Sequence, residues 1–373
     1  MGSYFIGMMS GTSLDAVDAV LVDFNPSNIR PTLIKRCSVA LPANLKEKLI
    51  FLAHSDSLTF RQLAEAEDAL TRLYAKCALQ LLENLPDNID PLAIGCHGQT
   101  IEHQPNLKPS YTLQLLNPSL LAELTQQNII ADFRRRDLAA GGQAAPLVPA
   151  FHRSVFHSPS KDRIIINLGG IANVTYLPSN TKKPVVGFDT GPANLLLDYW
   201  HQKHWQKSFD ASGVKASGGQ IILPLLNKAL ADEFFTLAPP KSTGREKFNP
   251  EWLNKLLTEF PENKFTKEDI LRTLAELTAV SLADQIKLID PKAKAELFVC
   301  GGGWENDFLI KRITDLTLPR RLSSTASLGI PPQDVEATAF SWLAWRHYQN
   351  KSGNLPSVTG AKGERVLGGF YPA

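Results

Sequence analysis

Cysteine is scarce in this sequence: four residues, Cys37, Cys77, Cys96 and Cys300, with no C-x-x-C pair among them. That excludes a disulfide framework and the usual zinc-ligand spacings, and it predicts thiols kept in a reducing compartment. Excess charge is missing as well. The 39 Lys and Arg residues against 37 Asp and Glu leave a net charge of +2, without the basic face that a nucleic-acid partner requires. The single basic run, Arg134-Arg135-Arg136, is hemmed in by Asp132 and Asp137. No apolar run reaches the roughly 20 residues of a membrane span, and no basic stretch precedes the first apolar residues. These absences predict a cytoplasmic protein with neither nucleic acid nor membrane among its partners. G-x-x-x-x-G-K-S/T, H-E-x-x-H and G-x-S-x-G are all absent. Gly301 and Gly303 begin a G-x-G-x-x-G match, but Asn306 occupies the third glycine's place, which argues against a Rossmann site.

What is present is a repeated outline. Tyr4 to Phe24 reads as a strand, a Gly/Ser/Thr turn and a returning strand, with Gly7 and Gly11 freeing the backbone and Val17, Val20 and Val22 resuming the β pattern. The turn Ser10-Gly11-Thr12-Ser13 offers backbone N–H groups and three hydroxyls to an anion, although an ordinary hairpin has the same composition. Arg163 to Leu177 repeats the outline around Gly169-Gly170. Val185 to Phe188 runs into Asp189-Thr190-Gly191, and Leu297 to Cys300 into Gly301-Gly302-Gly303. A repeated hairpin and glycine turns at strand ends predict a duplicated α/β protein with nucleotide between its halves. At 373 residues the chain exceeds one ordinary core, so two domains are expected: 1–130, with the option of the tail at 350–373, and 131–349.

Between these turns the pattern is legible. A helix follows Thr59, whose capping box with Gln62 precedes apolar residues from Leu63 to Leu81 at helical spacing. Leu92 to Cys96 is a buried strand that delivers His97-Gly98-Gln99-Thr100 at its carboxyl end, where open α/β sheets place ligand groups. Histidine at such a place can equally bond its neighbours' backbone. Asp189 ends an apolar strand. It can serve as a general base or cap a helix beginning at Pro192, and both readings stand. The polar stretch 239–249 reads as a solvated loop, with a nucleotide lid as the alternative. A long helix from Thr266 to Ile289 has its own capping box with Asp269. A last amphipathic helix, Gln333 to Tyr348, carries Glu336 in its first turn, where the helix dipole alone favours a carboxylate.

Seven segments together resemble the anhydro-N-acetylmuramic acid kinase family: GTSLDAVD (11–18), GCHGQTIEHQP (95–105), DFRRRDLAAGGQAAPLVP (132–149), NLGGIANVT (167–175), GFDTGPAN (187–194), PPKSTGREKFN (239–249) and CGGGWEN (300–306). The resemblance implies duplicated actin-like ATPase (ribonuclease H-like) domains with a central ATP cleft. It implies that 1,6-anhydro-N-acetylmuramic acid, an amino sugar, is opened by water and phosphorylated from ATP with Mg2+, giving N-acetylmuramic acid 6-phosphate for peptidoglycan recycling. Carried over by motif, Asp189 is the base at the water and Glu336 the second acidic residue. Gly11, Thr12, Ser13, Leu14, Asp15, Ala16, Val17 and Asp18 form the ATP phosphate segment, joined by Gly169 and Gly170, with Gly301, Gly302 and Gly303 under the adenosine. His97, Gln99, Thr100 and Arg134 fall on the sugar side, and a homodimer is an option. The sequence departs from the pattern at Met9, where related folds carry a magnesium-holding aspartate, so no metal ligand is assigned. Ala16, Ala144 and Ala193 stand where the family's motifs have glycine. The competing readings are a sugar or acyl kinase of the same fold group with another substrate, a non-catalytic ATP-dependent scaffold, and a sugar-sensing regulator.

Overall fold

The opening hairpin forms as expected. In the computed structural model, which describes residues 2–11, 13–25, 30–55, 57–260 and 264–373, β1 (Tyr4–Ser10) pairs antiparallel with β2 (Ala16–Asp23). Thr12, in the expected phosphate turn, lies outside the described residues; β3 (Thr32–Ala40) runs beside β2. On the other flank of β1 lies β4 (Ala93–Cys96), parallel to it. A separate hairpin, β5 (Gln99–Gln104) and β6 (Tyr111–Leu115), comes next, and β7 (Ile129–Ala131) then extends the sheet parallel to β4.

The second half repeats this arrangement. β8 (Arg163–Leu168), β9 (Ile171–Leu177) and β10 (Val186–Pro192) form an antiparallel meander. β11 (Glu296–Cys300) then joins β8 in parallel, and β12 (Leu322–Ser324) joins β11. Both sheets therefore run third, second, first, fourth, fifth, with the same strand directions. The first sheet gains a sixth strand, β13 (Gly369–Tyr371), antiparallel to β7. Two copies of one strand order, each built around a hairpin that opens its half, are the duplicated actin-like α/β fold.

The central strands of each sheet are buried along most of their length. Val17, Ala19 and Leu21 of β2 share a core with Leu70, Tyr74, Cys77 and Leu81 of the helix Phe60–Leu82, whose predicted Thr59/Gln62 capping box is present. The helix Lys267–Ile289, with its Thr266/Asp269 box, packs Leu271, Leu274 and Ile286 with Ile164 and Ile166 of β8. Burial of each such side chain contributes about 1.5–3 kcal/mol, which is what holds these helices to their sheets. Among the described residues no helix is long and apolar enough to cross a membrane.

The chain divides into two compact units, residues 1–155 with 334–373, and residues 156–333. The division differs from the expected 130/131 and 349/350 boundaries. The helix Val335–Tyr348, expected with the second half, lies instead on β1 and β4 of the first unit. The reason is two glycines. A Cβ on Gly7 would stand 1.9 Å from the Ala337 carbonyl oxygen, and one on Gly95 2.3 Å from that of Phe340. Their bare backbones let the helix settle onto the sheet, and the Ser341 hydroxyl donates to the Phe5 carbonyl at 3.0 Å.

The 131–149 segment joins the same unit through Asp137, which is fully buried. Its carboxylate accepts from Ala144 N–H at 2.8 Å, Asn354 Nδ2 at 2.7 Å and Thr359 Oγ1 at 2.9 Å, so the tail is tied to this segment by hydrogen bonds. Burying an ionised carboxylate is tolerable only with donors of this kind.

Candidate active site

Asp189 lies within β10, opposite Asn173 of β9, at an irregularity in the register before Gly191. The helix-cap reading falls here: β10 continues through Pro192, Ala193 is the cap residue, and the helix is Asn194–Trp205. Strand pairing, rather than helix initiation, fixes the carboxylate. Its Oδ2 accepts from Thr243 N–H at 2.9 Å, while Asp189 N–H donates to the Lys241 carbonyl at 3.0 Å. The 239–249 stretch is thus a packed element rather than a solvated loop. Phe248 is fully buried, and Lys241, 6% exposed, donates its Nζ to the Phe234 carbonyl at 3.0 Å. Burial pushes the Asp189 carboxyl up to about 7, and the charge of Glu246 adds to the rise; the Thr243 N–H and Lys241 oppose it. As a residue Asp189 is half-buried, and the protein packed around its carboxylate is what raises the value.

In the first unit the structure brings His97, Arg134 and Glu336 together. Both ring nitrogens of His97 are engaged: Nδ1 lies 2.8 Å from the Gly98 carbonyl, and Nε2 is 2.9 Å from Arg134 Nε. A carbonyl accepts and a guanidinium donates, so the ring is neutral with its hydrogen on Nδ1. Burial holds its pKa well below the ordinary value, and the Arg134 charge lowers it further. Arg134 gives Nη1 to the Ala144 carbonyl at 2.7 Å. Burial pulls it down to about 10, against the charges of Glu336 and Asp137. Gln99 is 3% exposed, and its Oε1 is buried without a hydrogen-bond partner; Thr100 Oγ1 accepts from Gln114 Nε2 at 3.3 Å.

The glycine turns are unequal. In the first, Leu14 N–H closes onto the Gly11 carbonyl at 3.1 Å, and it is Leu14, at φ 56°, that takes the left-handed conformation. Of the three hydroxyls expected to face an anion, that of Ser10 is committed elsewhere, 2.9 Å from the buried Tyr74 hydroxyl. Ser13 stays in the turn and Asp15 meets Lys46 at 3.0 Å, whereas Ala16, Val17 and Asp18 already belong to β2, with Val17 in the core. In the second unit Gly169 and Gly170 accept the N–H groups of Asn194 and Ala193. Gly301, at φ 84°, presses against Asn167 and Leu168, and Gly303 against Leu168 and Asn194; a Cβ on Gly302 would meet nothing within 4 Å. The outer two glycines fit the protein to itself, and the middle one faces open space.

The family model described as anhydro-N-acetylmuramic acid kinase matches residues 3–373. This chain belongs to the anhydro-N-acetylmuramic acid kinase family. It is 46% identical over 373 residues to the anhydro-N-acetylmuramic acid kinase of Shewanella halifaxensis (strain HAW-EB4), covering 100% of this chain and 99% of that one. To that of Burkholderia orbicola (strain MC0-3) it is 46% identical over 376 residues, covering 100% and 96%. Among solved structures, it is similar to a ROK family glucokinase from Streptomyces griseus in complex with glucose and AMPPNP, with a TM-score of 0.40, 14% identity and coverage of 91% of this chain and 99% of that chain.

For a member of the anhydro-N-acetylmuramic acid kinase family, the three alanines at motif glycines now have separate explanations. Ala16 pairs with Ala40 inside regular β structure and does not need glycine's freedom, while Ala193, at φ −124°, is not held in the left-handed region. Ala144 does adopt φ 58°, held there by Asp137 on its N–H and Arg134 on its carbonyl. Ala144→Gly would relieve about 1 kcal/mol of left-handed strain but remove a buried methyl worth about 0.8 kcal/mol. We therefore expect urea denaturation to show a stability change under about 1 kcal/mol, with turnover unaltered.

Sequence reasoning missed Lys241, Thr243 and Glu246 as neighbours of Asp189, since they lie more than 50 positions away. The motif 239–249 was visible, but its contact with β10 was not.

Proposed function

We propose that this protein couples hydrolytic opening of 1,6-anhydro-N-acetylmuramic acid to phosphorylation from ATP, releasing N-acetylmuramic acid 6-phosphate and ADP. The observation that carries the reading is Asp189: a carboxylate raised to about 7, on a strand, steadied by a backbone N–H. A base of that pKa is matched to proton transfer near neutral pH. In the anhydro sugar O6 is already bonded to C1, so there is no free hydroxyl to phosphorylate. Water attacks C1, the C1–O6 bond breaks, O6 takes the γ-phosphoryl group, and the bond from phosphorus to the ADP oxygen breaks. The one proton released goes from the water to Asp189.

Arg134 and Gln99 supply the polar groups for the sugar: a guanidinium with donors beyond those spent on His97 and Ala144, and a buried acceptor awaiting a donor. Thr100, next to Gln99 on β5, is assigned to the sugar with it by motif. His97, with both nitrogens engaged, acts through Arg134, as a positioning residue. Glu336 faces the same guanidinium, and its place in the family motif makes it the second acidic residue of the reaction. Backbone N–H groups around Gly11 and Ser13 hold phosphate, and the open side of Gly302 receives the nucleoside.

Among the described residues no three His, Cys, Asp or Glu side chains assemble a metal centre. Magnesium would arrive on the phosphates and needs only one or two carboxylates from the protein. Asp18, cross-strand from Met9, is the carboxylate that would hold it; the ion, when bound, screens phosphate charge.

Turnover in ¹⁸O-water tests the reading. We expect label at C1 of the product and none in the phosphate. Label only in phosphate would mean simple ATP hydrolysis. Equal ADP release with N-acetylmuramic acid would transfer the assignment to an ordinary sugar kinase.

A further inference from the structure

Thr243 offers Asp189 its N–H, yet its own hydroxyl is idle. Oγ1 is buried and has no hydrogen-bond partner in the protein, although it can both donate and accept. Leaving such a group unpaired is costly, so the arrangement points to a polar atom that the protein does not itself supply. The hydroxyl cannot wander far. Thr243 N is fixed 2.9 Å from Asp189 Oδ2, the next-but-one residue Lys241 pairs its carbonyl with Asp189 N–H, and a β-branched side chain is stiff at χ1. Oγ1 is therefore carried on the same residue whose amide N–H donates to the Asp189 carboxylate. Lys241 is not the hydroxyl's partner; its Nζ is turned to the Phe234 carbonyl.

We propose that Thr243 Oγ1 is the second anchor of the water that Asp189 activates. Asp189 accepts one hydrogen of the water and Oγ1 accepts the other, which leaves an oxygen lone pair aimed at the reacting carbon. No proton moves to Thr243; the proton that leaves the water goes to Asp189. Two anchors fix a nucleophile's direction where one leaves it free to swing, and misplacement by about 1 Å can cost up to about 10²-fold in rate. The inference rests on Asp189 being the base.

The test compares Thr243→Val, Thr243→Ser and Asp189→Asn in the full-length enzyme, reading kcat, KM for both substrates and the pH profile. Valine keeps the backbone N–H and the branched shape but deletes the hydroxyl. We expect its kcat to fall about 10- to 100-fold, with both KM values within about threefold and the acid limb of the profile unmoved. Serine should recover kcat to within about threefold of the parent. If the valine variant does not fold, Thr243→Ala gives the same comparison. Valine turnover within about twofold of the parent, beside an inactive Asp189→Asn, would overturn the role of Thr243 and leave Asp189 standing. A serine variant as slow as valine would overturn it too, by assigning the loss to the methyl group. An active Asp189→Asn would instead remove the reading on which the inference rests.

Discussion

Asp189→Asn is expected to lower turnover about 10²- to 10⁴-fold, the range that general-base assistance usually supplies. The substitution keeps the shape and retains an oxygen to accept the Thr243 N–H, so binding of both substrates should change far less than kcat. The pH dependence is a sharper check. With the folded carboxyl at about 7, kcat/KM of the parent enzyme should decline as pH falls through that value, because the protonated acid cannot accept a proton. An acid limb nearer 4, the ordinary range, would mean that another group is titrating. Stability should run the other way. The folded carboxyl binds its proton more tightly than the unfolded one, whose ordinary value is 3.8. Its contribution is therefore fully present below about pH 3.8 and lost as pH rises to about 7. Asp189→Asn should then melt higher than the parent at pH 8 and show no such advantage near pH 4. Gain of stability with loss of activity in one variant is what a strained functional carboxylate predicts.

Gly7→Ala should destabilise the protein by about 3 kcal/mol or more, the upper end for overpacking. The added Cβ would lie 1.9 Å from the Ala337 carbonyl oxygen, 2.4 Å from Ser341 N and 2.7 Å from Ser341 Cβ. Two of those are backbone atoms of a helix, which cannot rotate aside as a flexible side chain would. The helix Val335–Tyr348 must lift from β1, which also breaks the Ser341 to Phe5 hydrogen bond. Glu336 rides on its first turn, and Phe340 packs against the His97 ring at 4.7 Å between centroids, so whatever folds should also turn over poorly. Urea denaturation measures the first effect and steady-state kinetics the second. A midpoint shift equivalent to less than about 1 kcal/mol would show that the helix and strand have slack that these contacts do not allow.

Much of the fold was legible because it is written in local chemistry. Thr59 with Gln62 and Thr266 with Asp269 satisfy backbone groups within one turn of the chain, and both capping boxes form where they were read. The repeated hairpin was visible because two strands and their turn are contiguous, and the common strand order of both sheets follows from it. Reading failed where a competing local signal was outweighed by pairing at a distance. Pro192 has the φ of a first helical residue, yet β9 holds it as the last residue of β10. The charges of 239–249 suggested solvent, but Phe248 and Lys241 are buried there.

The sequence by itself determined the duplicated α/β scheme, the family and Asp189 as the residue to watch, because strand periodicity, caps and motifs are properties of neighbours along the chain. Tertiary structure alone decided that the helix bearing Glu336 belongs to the first unit, that Arg134 donates to His97, and that Thr243 stands beside Asp189. Each of those depends on which bare backbone, unpaired donor or buried charge finds its partner across many residues, and no spacing in the chain records that choice.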